Sequence, residues 1–204
     1  MSPAAAVDGR GIGQFDVCGI HTGSIEVLGL ATTHRERVRR AVLVSIGLWS
    51  DEELETVVPA LQENARAAEA RRDGSHLVVL WNLAKDRAAG VVEERTNPNA
   101  PAGLAGWDLD ILSTWLLNHL LAGPNWWSVP STILRFPYAE RLSAVTPPLL
   151  VLRIQDRLWE ETSRAVPLLP PQAKYLELPH LDQECFAVAP DEMNALLRGF
   201  LDAD

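Results

Sequence analysis

The stretch that most constrains this chain runs from Phe15 to Ile46. A short apolar run, Phe15-Asp16-Val17-Cys18-Gly19-Ile20, meets the turn His21-Thr22-Gly23-Ser24 and then a largely apolar segment from Ile25 to Ala31. The run has strand length and the segment reads as a helix, whose end carries Arg35, Arg37, Arg39 and Arg40, cations that suit exposed helix carbonyls. A second apolar run, Ala41 to Ile46, follows. Strand, tight turn, helix, strand is a βαβ unit, which commits the chain to a parallel sheet with helices on both faces. Burial on both faces explains why these strands are continuously apolar rather than alternating. Leu149 to Ile154 and Tyr175 to Leu178 read the same way, so the fold class is α/β, with four parallel strands.

About a hundred residues separate the second and third runs, whereas loops in α/β units are usually ~2–6 residues long. The gap therefore holds a helical insertion, over 48–146. Ser50-Asp51-Glu52-Glu53 has the form of a capping box, followed by Leu54, Val57, Val58, Leu61, Ala65 and Ala68 at helical spacing. A second helix starts at Asp73 or Ser75 and carries Leu77, Leu80, Trp81, Ala84 and Ala88. The loop Thr96 to Gly106 leads to a third helix, Asp108 to Ala122, stopped by Gly123-Pro124. After the third strand, Leu158 to Val166 forms a short helix, and Pro190-Asp191-Glu192 opens a last one whose stripe, Met193, Leu196, Leu197, Phe200 and Leu201, is core packing.

Composition narrows the function classes. At 204 residues, 47% hydrophobic and 22% charged, the chain is long enough for one sizeable core over 1–204. Eighteen Lys and Arg against 27 Asp and Glu give a net charge of −9, a field that repels phosphate backbones and anionic lipid, so no nucleic acid and no membrane is expected as a partner. The two cysteines, Cys18 and Cys185, are far apart and have no ligand-like neighbours, so neither a metal nor a cofactor is expected. The start Met-Ser-Pro-Ala-Ala-Ala-Val-Asp lacks the form of a secretory signal, and no apolar stretch reaches the ~18 residues of a membrane helix. The expected location is the cytoplasm.

The motif Gly19-Ile20-His21-Thr22-Gly23, at a strand-to-helix junction, resembles the nucleophile elbow of the α/β-hydrolase superfamily. Two later stretches extend the resemblance in order: Ala31 to Val44, and Leu142-Ser143-Ala144-Val145-Thr146-Pro147-Pro148-Leu149, which leads to Asp156. Asp73-Gly74-Ser75-His76-Leu77 with Trp81 is similar to a lid segment of members that carry His-Thr-Gly at the elbow. The resemblance implies a partial α/β-hydrolase fold with a helical lid, His21 at the nucleophile position, the Thr22 N–H as oxyanion donor and Asp156 as the triad acid. His21 departs from the Ser, Asp or Cys of the pattern, and counting from Pro179 or Pro190 puts Gln183 where the superfamily carries its catalytic His. His180, three residues earlier, is the remaining candidate base. The first strands of the superfamily have no counterpart before Phe15, so the chain corresponds to a hydrolase lacking its N-terminal part, and the strand Phe15 to Ile20 becomes an edge that favours a homodimer.

Two functions follow from these residues. One is hydrolysis of a small, apolar ester, epoxide or related bond, with weak or no turnover because Gln cannot act as a general base. The other is a non-catalytic relative that binds a small apolar molecule or a protein. His76, Trp81 and Trp126 are candidate substrate-binding residues of a lid pocket, while Asp73 and Ser75 are explained as helix caps.

Overall fold

Four parallel strands, β1 (Phe15–Ile20), β2 (Val38–Val44), β3 (Leu149–Ile154) and β4 (Lys174–Leu178), form one sheet in the order β1-β2-β3-β4. This is the sequential order expected from the βαβ pattern together with the family resemblance. The structure is a computed structural model that describes residues 9, 11–67, 69–88, 109–122 and 134–203. Val17 lies opposite Ala41, Ala41 opposite Leu149, and Val151 opposite Tyr175. Helix α1 (Thr22–Thr33) makes the first crossover, and α2 (Asp51–Ala67), α3 (Ser75–Ala88), α4 (Leu109–Ala122) and α5 (Tyr138–Ser143) lie between β2 and β3. Beyond β3 come α6 (Trp159–Ala165), a short 3₁₀ turn, β4, α7 (Cys185–Val188) and α8 (Pro190–Leu201).

The central strands are continuously apolar over Ala41–Val44 and Leu149–Leu152 because both faces are covered there. On one face Ala41, Leu43, Leu149 and Val151 pack with Ile25, Val27, Leu28 and Ala31 of α1 and with Tyr138 and Leu142 of α5. On the other, Val42, Val44, Leu150, Leu152 and Ile154 meet Cys185 of α7 and Met193 and Phe200 of α8. Truncating a fully buried leucine in either layer, such as Leu152, costs about 2–5 kcal/mol through lost burial and the cavity left behind.

β2 begins at Val38, earlier than the run Ala41 to Ile46 suggested. The basic cluster after α1 misleads: the helix ends at Thr33, where His34 N–H still bonds Leu30 O at 2.8 Å, and Arg39 and Arg40 are strand residues. Arg39 pairs with Asp16 on β1. Arg40 does meet a helix C-terminus, but that of α8, donating to Leu201 O at 2.8 Å.

In the insertion the capping box forms, with Ser50 N–H on Glu53 Oε2 at 2.8 Å and Glu53 N–H on Ser50 Oγ at 3.2 Å. Asp73 receives Ser75 N–H at 3.1 Å at the head of α3. Helices α3 and α4 pack around Ala84, Leu112 and Trp115, with Trp81 against that cluster. The expected loop Thr96 to Gly106, the stop at Gly123-Pro124 and Trp126 lie outside the described residues. Among the described residues β1 pairs only with β2, and no helix is long and apolar enough to cross a membrane.

Candidate functional site

The turn between β1 and α1 is set by one glycine more than by two. A Cβ on Gly19 would sit 2.2 Å from Gly23 O and 2.8 Å from Ser24 N, so only glycine lets the helix start fold back over the strand end. Gly23 has open space where a Cβ would go, and its role is to be the backbone that Gly19 approaches. Between them His21 takes φ 50° and ψ −112°, a conformation that costs a side-chain-bearing residue about 1–3 kcal/mol. Two bonds hold it there: His21 N–H donates to Val44 O at 2.9 Å, and its carbonyl accepts Ser24 N–H at 3.0 Å.

That strain places the imidazole against the acid beyond β3. His21 Nε2 lies 2.7 Å from Asp156 Oδ2, with the histidine side chain 19% exposed and the aspartate side chain 2%. Asp156 also accepts Ser45 Oγ–H on Oδ2 at 2.6 Å and Leu158 N–H on Oδ1 at 2.8 Å. A carboxylate surrounded by donors takes the proton side of the ring, so the hydrogen bond assigns the proton to Nε2 and leaves the lone pair on Nδ1. Among the described residues Nδ1 has no hydrogen-bond partner. The bond to Leu158 N–H and the contact with His21 coexist, one on each carboxylate oxygen.

His21 lines a cleft with Thr22, Gly47, Trp49, Tyr138 and Arg157, and with Ile25, Val57, Leu134 and Leu158 as its apolar walls. The cleft is narrow, with a cavity volume of about 30 Å³, and it opens to solvent. Thr22 is the first residue of α1, and its N–H has no acceptor within the helix. Burial pushes the Tyr138 phenol well above its ordinary value, and the Gly47 backbone bond to it opposes this only in part, so the phenol stays protonated. Among the described residues the buried Trp49 indole N–H has no hydrogen-bond partner.

The other candidates lie elsewhere. His180 pairs with Glu192 at 2.8 Å on the surface and does not line the cleft. His76 accepts Arg71 N–H on Nδ1 at 3.1 Å, exposed beside the start of α3, and Trp81 belongs to the α3–α4 cluster. Burial pushes the Cys185 thiol up to about 12, with the charges of Asp182 and Asp156 adding to it, and burial also raises Cys18, so neither supplies a ready thiolate. Ser24 is fully buried with its hydroxyl on backbone carbonyls, which rules it out as the attacking group in this conformation. Among the described residues no group of three or more His, Cys, Asp or Glu could hold a metal ion.

Ser45 is the residue that sequence reasoning missed. Inside the run Ala41 to Ile46 a serine reads as one more strand residue, whereas β2 ends at Val44. The available signal was its place, one step past β2 beside the strand whose end carries Asp156.

No family model matches the sequence, and no curated protein matches it. Solved structures do. The chain is similar to MGS-M2, an alpha/beta hydrolase enzyme from a Medee basin deep-sea metagenome library, with 14% identity and a TM-score of 0.63 over 98% of this chain and 70% of that one. It is similar to the enol-lactonase from Burkholderia xenovorans LB400, with 16% identity, a TM-score of 0.69 and the same coverage. A thermophilic esterase from Thermogutta terrifontis matches with 18% identity and a TM-score of 0.68, over 98% of this chain and 69% of that one.

Proposed function

The chain has the fold of the α/β-hydrolase superfamily, and from that premise we propose that it hydrolyses a small, largely apolar ester or related bond through His21 and Asp156. The observation that carries the reading is the 2.7 Å Nε2–Oδ2 bond in the wall of a cleft, with Nδ1 unpartnered among the described residues. In this mechanism Nδ1 accepts a proton from water as the water oxygen bonds the ester carbonyl carbon. The carbonyl oxygen becomes the oxyanion, which the Thr22 N–H binds. Collapse of the tetrahedral intermediate breaks the bond to the alcohol oxygen, which takes the proton back from Nδ1, leaving an acid and an alcohol. Asp156 holds the ring and stabilises its cationic form. Helices α2–α4 act as a lid, Val57 of α2 supplying part of the wall.

Turnover in this scheme is slow, because the elbow carries His21 in place of a Ser, Asp or Cys nucleophile and Gln183, at the base position that the resemblance implies, supplies no second base. The glutamine also favours the second reading, a relative that binds a small apolar molecule without turning it over. Hydrolysis of p-nitrophenyl acetate separates the two. His21→Ala lowers kcat/KM by about 10²–10⁴ if the ring is the general base, with the fold checked by circular dichroism. Equal rates for wild type and His21→Ala leave only the binding reading. Among the described residues β1 pairs only with β2, and we propose that its other edge pairs with a second copy; light scattering on the eluted protein would show a 22.4 kDa monomer if that is wrong.

A further inference from the structure

We propose that Ser45 is the positioning residue of the His21–Asp156 pair, fixing the carboxylate so that Oδ2 faces Nε2; for its effect on turnover this rests on the hydrolase reading. Ser45 is 0% exposed and sits just past the end of β2 with φ 57°. Only glycine takes a left-handed φ freely, and a serine there carries a steric cost of about 1 kcal/mol. A glycine would make the same turn without that cost, so the turn alone does not account for a serine. What serine adds is the hydroxyl, and the hydroxyl donates to Asp156 Oδ2 at 2.6 Å.

Each polar group of Ser45 is tied to a different part of the site. Its N–H donates to Leu152 O at 3.0 Å, continuing the β2–β3 ladder beyond the strand. Its carbonyl lies 3.1 Å from the Ser24 hydroxyl, whose one proton is shared among Ser45 O, Val44 O at 3.1 Å and Gly19 O at 3.0 Å. Ser24 N–H in turn bonds the His21 carbonyl. The elbow and the acid are thus joined twice, once directly through the imidazole and once through Ser24 and Ser45. Oδ1 is held by Leu158 N–H alone, whereas Oδ2 takes two side-chain donors. Without Ser45, Oδ2 keeps the imidazole as its one side-chain donor among the described residues and the carboxylate is held otherwise only through Leu158 N–H on Oδ1, so the acceptor that keeps the ring proton on Nε2 is less firmly fixed.

Ser45→Gly removes the hydroxyl while suiting the backbone. We expect it to lower kcat on p-nitrophenyl acetate about ten- to a hundredfold with KM unchanged, the scale of one lost bond to a charged group. Proton NMR reads the same event without any turnover. The His21 Nε2–H resonance, assigned by its loss in His21→Gln, moves and broadens in Ser45→Gly, and Ser45→Ala reproduces the change. In the wild type the Ser45 hydroxyl proton and His21 Nε2–H, aimed at one oxygen, give a cross-peak, so the idea is tested even if a variant does not fold. A resonance unchanged in position and width in the folded variants, or no cross-peak in the wild type, overturns the proposal, as does an unchanged kcat. A wild type inactive on this ester counts against the hydrolase reading alone, and the NMR result then decides the role of Ser45.

Discussion

Two histidine–carboxylate pairs in this molecule have nearly the same length and opposite surroundings. His21 Nε2 to Asp156 Oδ2 is 2.7 Å with side chains 19% and 2% exposed, and His180 Nε2 to Glu192 Oε1 is 2.8 Å with side chains 57% and 46% exposed. Length does not separate them. The first pair is held by a strained turn, a glycine that admits no side chain, a buried serine and a backbone N–H, while water can replace either partner of the second. A site is recognised by what prevents its groups from relaxing, and only the first pair has that support.

Asp156→Asn should show the contrast at its largest. The amide cannot accept from three donors with its nitrogen facing some of them, so at least one buried donor is stranded, costing about 1–3 kcal/mol. Hydrolysis of p-nitrophenyl acetate should fall by about 10²–10⁴ in kcat/KM. Urea denaturation and the ester assay measure the two effects separately. The comparison breaks if Glu192→Gln costs as much by either measure.

Gly19→Ala ranks next and tests whether the turn is what supports the pair. A methyl 2.2 Å from Gly23 O forces the strand end and helix start apart, and the expected loss is about 1–3 kcal/mol in thermal or urea denaturation. Gly23→Ala, with open space around the new methyl, should change stability far less. Equal losses would mean that the close approach at Gly19 is not what shapes the elbow.

Much of this was legible in the sequence because it depends on local patterns. The βαβ unit, the parallel strands and the capping box at Ser50 follow from apolar runs and turn chemistry that act over a few residues. Asp156 was legible because a carboxylate just past a buried strand stands at the edge where such sheets bind ligands. What failed depends on distant partners. Arg39 and Arg40 resemble the end of a helix until Asp16 and the Leu201 carbonyl claim them as strand residues. Ser45 reads as a strand residue until β2 ends before it and Asp156, just past β3, comes beside it. His180 keeps the residue type of a base, but Glu192 on α8 holds it outward.

Between the two histidine pairs in exposure stands Glu53–Arg164, at 2.7 Å with side chains 29% and 39% exposed. The Arg164 guanidinium, chiefly by its hydrogen bond, holds the Glu53 carboxyl at about 2. A depressed folded value means stabilisation that is fully present above the ordinary 4.5 and is lost as the pH falls from there toward 2. Solvent screening of a half-exposed pair limits it to about 1 kcal/mol or less. The stability gap between wild type and Glu53→Gln should therefore close over that acid range. A gap that stays constant from neutral pH to pH 2 would show that the ion pair contributes nothing and only the capping role remains.

The smallest expected effect is at His180. Both partners of its pair are solvated, so ordering two side chains offsets most of their attraction, and His180→Gln should change stability by less than about 0.5 kcal/mol. Salt sharpens the test. At about 1 M the screening length falls to roughly 3 Å, which removes what remains of an exposed pair, while the His21–Asp156 bond, shielded from the solvent, keeps its contribution. Ester hydrolysis by His180→Gln should match the wild type, since the ring is bound to Glu192 away from the cleft. A hundredfold loss in that variant would mean that the loop after β4 swings inward with substrate, that His180 rather than His21 supplies the base, and that the difference between the two pairs belongs only to the unliganded protein.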